Sequence, residues 1–482
     1  MKLKSPKTSI GIISLGCPKN TADMEGLLSG LENVQLVTTD QAEIILLNTC
    51  GFLKKARMEV YEILRRTPKK QRLIVLGCLA GQFKPRAFKK YPAIRAIISS
   101  AHYQDLPTIF AQVKKGERVY AVDKEPTLFE ELPGKSLLFL KSYAYIKIAE
   151  GCDNRCSYCL IPSLKGSYRS RKMEDILEEI KGVLSLGVKE IILVAQDCGL
   201  YGIDLYKKKT LSTLLQKIVK LKGHFWVRLL YLYPEHLEKN LLDTLASSPK
   251  ICRYLDIPLQ HGDPDILKAM NRPNNIPRLL QKIDQLRRDI PDITLRTGFI
   301  VGFPGETNKQ FKTLETFVGR IAFDHVGVFE YSREPGTPAY ELKPQIPAHI
   351  KKERRAILMQ FQQKISLANN QAHVGKTIPV LIDSFDPEAQ IYIGRSMRFA
   401  PEIDGHILVQ SKKPLKPREI YPVTIKKASV YDLEGKFLGK CHPRTNGDPA
   451  KIKLRPSLIP LERTTQNQTS LLNPFDAIKS SC

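Results

Sequence analysis

Short apolar runs separated by helical patterns set the rhythm of the chain up to about residue 125. Ile10–Leu15 predicts a strand, Asn20–Leu31 a helix with a polar start, Ile44–Leu47 a buried strand and Leu53–Arg66 a second helix. Leu73–Leu76 and Ile94–Ile98 predict two further strands. Apolar strands alternating with helices predict a parallel α/β sheet. A linker with a Pro-Gly turn is expected over 126–140. A second series then begins, with strands expected at Ala144–Ala149, Glu190–Ala195, Trp226–Tyr231, Tyr254–Ile257, Thr294–Ile300 and His325–Glu330. Helical patterns such as Met173–Leu186 and Leu211–Leu221 separate them. Six βα units are fewer than the eight of a closed barrel, so a partial barrel is predicted. A charged helix follows over 350–372. Beyond Gly375 the segments TIPVLID, QIYIGRS, HILVQS and YPVTIKKASVYDL read as strands of a small β-barrel. The chain thus divides into an amino-terminal α/β domain (8–125), a linker (126–140), a central partial barrel (141–368), a small β-barrel (369–440) and a polar tail (441–482) expected to be disordered.

Chemistry-bearing residues gather where predicted strands end. Cys152, Cys156 and Cys159 form CDNRCSYC, a C-x-x-x-C-x-x-C spacing after the first strand of the central series. Three thiolates from one loop can hold three irons of a cubane cluster and leave the fourth open to a small molecule. Structural zinc and unrelated buried cysteines are the competing readings. Zinc usually takes four ligands in paired knuckles. No second knuckle lies nearby, and the closest downstream histidine is His224. Cys17, Cys50 and Cys78 each follow one of the first three amino-terminal strands. Parallel strands carry their carboxyl ends to one sheet edge, so these three can converge as a second metal site; three packed thiols are the alternative. In the central series Gln196 and Asp197 follow the second strand, Gln260 and His261 the fourth, GFPGE the fifth, and Glu330–Ser332 end the sixth. Active sites of βα barrels lie at those ends.

Composition adds less. Hydrophobic content of 42% suits a globular chain, and no stretch approaches the roughly 20 apolar residues of a membrane span. The start MKLKSPKTSIGIISLGC mimics a signal peptide, but its apolar run is short and fits a strand better. Ten cysteines without a secretory signal point to a reducing, cytoplasmic setting. The net charge of +26 suits an anionic partner, nucleic acid or nucleoprotein, or else a lysine-rich solvated surface.

At CDNRCSYC followed by a partial barrel, the chain resembles radical S-adenosylmethionine enzymes. SLGCPKN (14–20), NTCGF (48–52) and LGCLA (76–80) resemble the amino-terminal domain of methylthiotransferases, and GRSMRFAPEIDG (394–405) resembles their TRAM domain. DIPLQHGD, LRTGFIVGFPGET and HVGVFEYSREPGT resemble their later strands. GCPKN, NTCGF, EGCDNRC and AQDCGLYGIDLY resemble the RimO subgroup, which modifies an aspartate of small-subunit ribosomal protein S-twelve, more than MiaB-type tRNA enzymes. Departures from the subgroup are small: Met24 and Gly26, the basic trio Lys54, Lys55 and Arg57, and Cys198, read as a packed thiol.

The resemblance implies two 4Fe-4S clusters. Cys152, Cys156 and Cys159 would hold the one that binds S-adenosylmethionine, and Cys17, Cys50 and Cys78 the auxiliary one. It implies a 5′-deoxyadenosyl radical that takes hydrogen from the aspartate β-carbon, a carbon too weakly acidic for ordinary proton abstraction. Sulfur at the auxiliary site and a methyl group from a second S-adenosylmethionine complete the transfer. Tyr158 matches the position whose backbone contacts adenine. Gln196 and Asp197 are expected at the cofactor's ribose or amino group, or else solvated at a strand end. Gly298, Gly302 and Gly305 would admit the adenine side, or are turn glycines. Arg228 and Arg296 would meet a carboxylate of cofactor or substrate, or form structural ion pairs. His261 after PLQ would donate to a group that itself meets the cofactor, or, the preferred reading, is a satisfied histidine. Implied partners are the ribosomal protein or small subunit, an electron donor such as flavodoxin or ferredoxin, a sulfur source, and RNA through the TRAM segment. An RNA-binding assembly factor with structural clusters is the non-enzymatic rival.

Overall fold

Successive side chains of a strand leave opposite faces of its sheet. Ile44 and Leu46 pack with Met24, Leu27 and Leu28 on one side, whereas Ile45 and Leu47 pack with Val60 and Leu64 on the other. Helices therefore cover both faces, which is why the strands are apolar throughout. The computed structural model describes residues 7–51, 54–122 and 141–439. Its first sheet holds β1 (Thr8–Ser14), β2 (Val34–Leu36), β3 (Ile44–Thr49), β4 (Arg72–Gly77), β5 (Ile94–Ile98) and β6 (Val119–Ala121). All are parallel, in the order β2-β1-β3-β4-β5-β6. The edge strands β2 and β6 are additional to the four predicted; no residue of either is buried, so no apolar run marks them. The helix expected at Asn20–Leu31 spans Pro18–Ser29 and so begins directly after Cys17. The next helix is Lys54–Arg66. Leu53, the linker 126–140 and the tail 441–482 lie outside the described residues.

The second sheet is built from β7 (Tyr143–Lys147), β10 (Glu190–Val194), β11 (Trp226–Leu229), β12 (Ile251–Asp256), β13 (Thr294–Val301) and β14 (His325–Glu330). These lie side by side in chain order, all parallel, and β14 does not pair with β7: this is the partial barrel. The single strand expected at Ala144–Ala149 is divided at Ile148. Its end forms β8 (Ala149–Glu150), antiparallel to β9 (Arg169–Ser170), and this clip closes the cysteine loop. β11 stops at Leu229, short of Tyr231, which takes a φ of +60°. β12 starts at Ile251, earlier than expected.

Ile191, Leu193, Val227 and Leu255 face the outer helices. On the inner face Tyr143, Tyr145, Ile192, Val194, Trp226 and Tyr254 pack against Ala22 of the first domain and Leu381 and Ala400 of the last. An open half-barrel leaves an apolar inner wall, and the two neighbouring domains cover it. The helix Ala348–Gln371 buries Arg354, Leu358, Gln362, Ser366 and Asn370, one stripe at a spacing of four. Its Gln362 donates to the Phe323 carbonyl at 2.7 Å and its Asn370 to that of Ser429 at 3.1 Å, which ties the central domain to the last.

The last domain is a closed barrel of β15 (Thr377–Asp386), β16 (Ile391–Arg395), β17 (Ile407–Ser411), β18 (Ile420–Ala428) and β19 (Leu433–Phe437), in the order β15-β16-β17-β19-β18. The segment read as one strand, YPVTIKKASVYDL, is divided between β18 and β19 by a turn in which the Ser429 N–H and hydroxyl both meet the Asp432 carbonyl. Among the described residues no helix is long and apolar enough to cross a membrane.

Candidate active site

The β8–β9 clip draws residues 151–168 into a closed loop. Gly151 makes the closure, with a φ of +79° and its backbone so near that a Cβ would stand 2.0 Å from the Ser167 carbonyl oxygen. Cys152 N–H donates to the Gly166 carbonyl at 3.1 Å, and Cys159 N–H to that of Cys156 at 3.0 Å. The Ile161 N–H lies 3.4 Å from Cys159 Sγ. Arg272 Nη1 lies 3.8 Å from Cys156 Sγ, and its guanidinium sits 3.8 Å from the centre of the Tyr233 ring. The Tyr233 hydroxyl is 3.6 Å from the same sulfur. Arg272 belongs to no motif spacing and was not foreseen from the sequence. Burial pushes the Cys152 thiol up and the Cys159 thiol up to about 12. Such thiols keep their protons until a metal takes their place, so loading releases protons.

Donors aimed at sulfur are what thiolate ligands of iron require. Among the described residues no three His, Cys, Asp or Glu side chains converge on a point suited to one ion. A cubane holds its thiolates apart at separate irons, so the three sulfurs need not meet. The loop fits a 4Fe-4S cluster. Gly151→Ala is expected to break it: the left-handed backbone alone costs about 1–2 kcal/mol, and the Ser167 backbone cannot yield as a side chain would. Iron bound after anaerobic reconstitution should fall; an unchanged iron content and unfolding midpoint would refute this.

Around the loop the structure sorts the predicted residues. Asp197 is fully buried and holds the loop in place, rather than facing solvent. It accepts from Gly199 N–H at 3.0 Å and Asn154 Nδ2 at 3.1 Å, and lies 3.2 Å from His236 Nε2. Gln196 donates to Glu150 at 2.9 Å, while its Oε1 is buried without a partner among the described residues. That oxygen fits the ammonium or a hydroxyl of S-adenosylmethionine. Tyr158 packs beside Ile266, Met270, Phe303 and Tyr331. The residue before it is fixed on both sides: Ser157 N–H donates to the Met270 carbonyl at 3.0 Å, and Ala339 N–H donates to the Ser157 carbonyl at 2.8 Å. At Gly298 a Cβ would meet only the Phe329 ring at 3.4 Å and the Gly327 carbonyl at 4.0 Å, so the glycine leaves open room. Gly302 is a turn glycine: its φ is +71° and a Cβ would stand 2.3 Å from Lys351.

The two arginines serve other ends. Arg228 is paired with Glu190 at 2.6 Å and donates to the Met397 carbonyl of the β-barrel at 2.8 Å. Arg296 lies 3.0 Å from Asp256 and 3.4 Å from Asp404 of that barrel. Both are structural, since carboxylates of this chain already neutralise them, and each also reaches the last domain, Arg228 through the Met397 carbonyl and Arg296 through Asp404. His261 is buried and only half satisfied, against its reading as a satisfied histidine: its Nδ1 accepts from the Asp263 N–H at 3.0 Å, while its Nε2 has no hydrogen-bond partner among the described residues. Cys198 is a buried thiol 3.8 Å from the Leu193 carbonyl, as its reading as a packed residue expected.

Cys17, Cys50 and Cys78 come from adjacent loops. The β-sheet register sets Ser14 beside Asn48 and Thr49 beside Gly77, so the three chain segments leave the sheet together. At Gly16, with a φ of +105°, a Cβ would stand 3.0 Å from Cys50 Cβ; at Gly51 it would stand 3.1 Å from the Cys78 carbonyl oxygen. Asn20 binds the Leu15 carbonyl at 2.8 Å and the Thr49 carbonyl at 3.3 Å. Asn48 binds the Asn20 carbonyl at 2.7 Å, and the Cys78 N–H binds the Thr49 carbonyl at 3.0 Å. The polar residues of the SLGCPKN and NTCGF runs thus lace the loops together. Burial raises the Cys78 thiol, as in the first set.

The Radical SAM superfamily model matches residues 146–318, the TRAM domain model 374–438, and the model of an uncharacterized protein family, UPF0004, residues 9–99. The ribosomal protein uS12 methylthiotransferase RimO of Carboxydothermus hydrogenoformans is 43% identical over 434 residues, 89% of this chain and 99% of that one. The protein of the same name from Acetivibrio thermocellus is 42% identical, covering 90% and 99%. In fold alone, the chain is similar to the radical S-adenosylmethionine methyltransferase TsrM of Kitasatospora setae, with a TM-score of 0.51 at 12% identity, covering 79% of each chain. With a radical S-adenosylmethionine core, a TRAM barrel and this identity over nine-tenths of its length, the chain belongs to the RimO family of methylthiotransferases.

Proposed function

We propose that this chain attaches a methylthio group to the β-carbon of an aspartate in ribosomal protein uS12, using S-adenosylmethionine and two 4Fe-4S clusters. The observation that carries the reading is the identity of 42–43% to uS12 methylthiotransferases over about 90% of the chain. That identity favours a protein substrate over the tRNA adenosine of the MiaB-like alternative. When bound, one cluster supplies the electron that turns S-adenosylmethionine into a hydrogen-abstracting radical, and the other presents sulfur. Cys152, Cys156 and Cys159 would hold the first, and Cys17, Cys50 and Cys78, likewise free of disulfides, the second. Tyr158, Gln196 and Gly298 line the cofactor's place. Asp197 works through Asn154 by fixing the loop between Cys152 and Cys156. The TRAM barrel gives a surface for ribosomal RNA, and a flavodoxin or ferredoxin and a sulfur source complete the cycle in the cytoplasm.

Mass spectrometry of a strain lacking the gene tests the substrate. The uS12 aspartate is expected without its methylthio group, while methylthio-adenosines of tRNA persist. The reverse pattern would move the assignment to tRNA.

A further inference from the structure

A buried group of charges lies between the two cysteine sets. Asp23 is on the helix that starts after Cys17, and Glu150 stands two residues before Cys152. Lys165 ends the short helix that follows Cys159, and Lys147 ends β7. Lys147 contacts Asp23 directly and lies 2.6 Å from Glu150. Lys165 lies 3.8 Å from Asp23 and 3.6 Å from Glu150. All four side chains are at most 7% exposed. Gln196 completes the group through Glu150. Lys165 is also within electrostatic reach of Cys78, and Tyr103, buried with an unpartnered hydroxyl among the described residues, is within reach of the same charges.

Two positive and two negative charges cancel, so the group is neutral as a whole. Burying four charges earns little stability, because desolvation offsets most of the attraction. What such a group supplies is registry: each charge has only one arrangement in which it is compensated. Here Asp23, Glu150 and Lys165 each lie on a segment that adjoins a cysteine, and Lys147 ends the strand that leads into the cysteine loop. Asp23 alone comes from the first domain, and it meets both lysines of the second.

We propose that Asp23, Lys147, Glu150 and Lys165 form a charge joint that sets the separation and orientation of the two cysteine sets. They act as positioning residues for the passage from radical formation to sulfur transfer. The inference rests on the reading of Cys17, Cys50 and Cys78 as a second cluster site.

The test uses full-length, anaerobically reconstituted protein carrying Lys165→Met, Lys165→Arg or Asp23→Asn. Four readouts are taken: iron content, 5′-deoxyadenosine formed, methylthio groups transferred to uS12, and the magnetic interaction between the reduced clusters by electron paramagnetic resonance. Lys165→Met and Asp23→Asn should keep iron and 5′-deoxyadenosine formation, while transfer falls about 100-fold, as a misplacement near 1 Å does. The intercluster signal should change in both, and Lys165→Arg should restore signal and transfer. Should Lys165→Met fail to load iron, the isosteric Asp23→Asn decides by the same split. Unchanged transfer, or equal loss of cleavage and transfer with an unaltered signal, overturns the joint alone. A wild-type chain binding about four irons instead of eight overturns the second cluster, and the joint with it.

Discussion

Replacing Cys50 with alanine should abolish methylthio transfer and leave the cleavage of S-adenosylmethionine near its wild-type rate. The expectation follows from where the cysteine sits. Cys50 leaves β3 of the first sheet, whereas Cys152, Cys156 and Cys159 lie in a loop closed by the β8–β9 clip of the second. Apart from the buried charges that join them, the supports are separate as well. Asn20, Asn48 and Thr49 hold the first set, while Gly151, Asp197 and Arg272 hold the second. Removing one thiol of three therefore undoes one site. Reconstituted protein should lose about four irons per chain. Chromatography of 5′-deoxyadenosine and mass spectrometry of uS12, run on the same samples, read the two halves apart. If both activities fall by the same factor, the two sets of cysteines serve one centre and the present division of labour is wrong.

The inner strands of both sheets were legible as apolar runs; Cys17, Cys50, Cys78 and Cys152 were legible because each follows a strand, and Cys156 and Cys159 through their spacing from Cys152. What the sequence hid has a common cause. β2 and β6 sit at sheet edges, half in solvent, and carry no pattern. The helix after Cys17 starts two residues earlier than read, since its cap is the cysteine itself and not a Ser, Thr, Asp or Asn. Arg228 and Arg296 look like receptors of carboxylates, and they are, but of Glu190, Asp256 and Asp404. Those partners are distant in sequence, so only the folded chain shows that the charges are already spent. Arg272 and the Asp23–Lys147–Glu150–Lys165 group were missed for the same reason. A lone lysine on a strand end carries no signal until the domain that faces it is in place.

Glu190→Gln should loosen the β-barrel from the half-barrel and destabilise the chain by about 3–5 kcal/mol, the range for breaking a buried ion pair. Glu190 is fully buried at the start of β10 and lies 2.6 Å from Arg228 and 2.6 Å from Arg395. Arg395 also meets Asp383 at 2.7 Å, but Arg228 has no second carboxylate among its described ion pairs. The glutamine keeps the shape and removes the charge, so the Arg228 guanidinium is left buried and uncompensated. Burial by itself would raise the carboxyl's pKa; Arg228 and then Arg395 outweigh it and hold the group below the ordinary range. A depressed folded-state pKa gives stability that is fully present above the unfolded value of about 4.3 and is lost as pH falls through the folded one. The deficit of the variant should therefore be constant near neutrality and shrink in acid. Urea unfolding across that range measures it, and limited proteolysis between Gln371 and Thr377 should release the barrel sooner in the variant. A loss below about 1 kcal/mol, the scale of an exposed pair, would mean that Glu190 does not join the domains as the distances indicate.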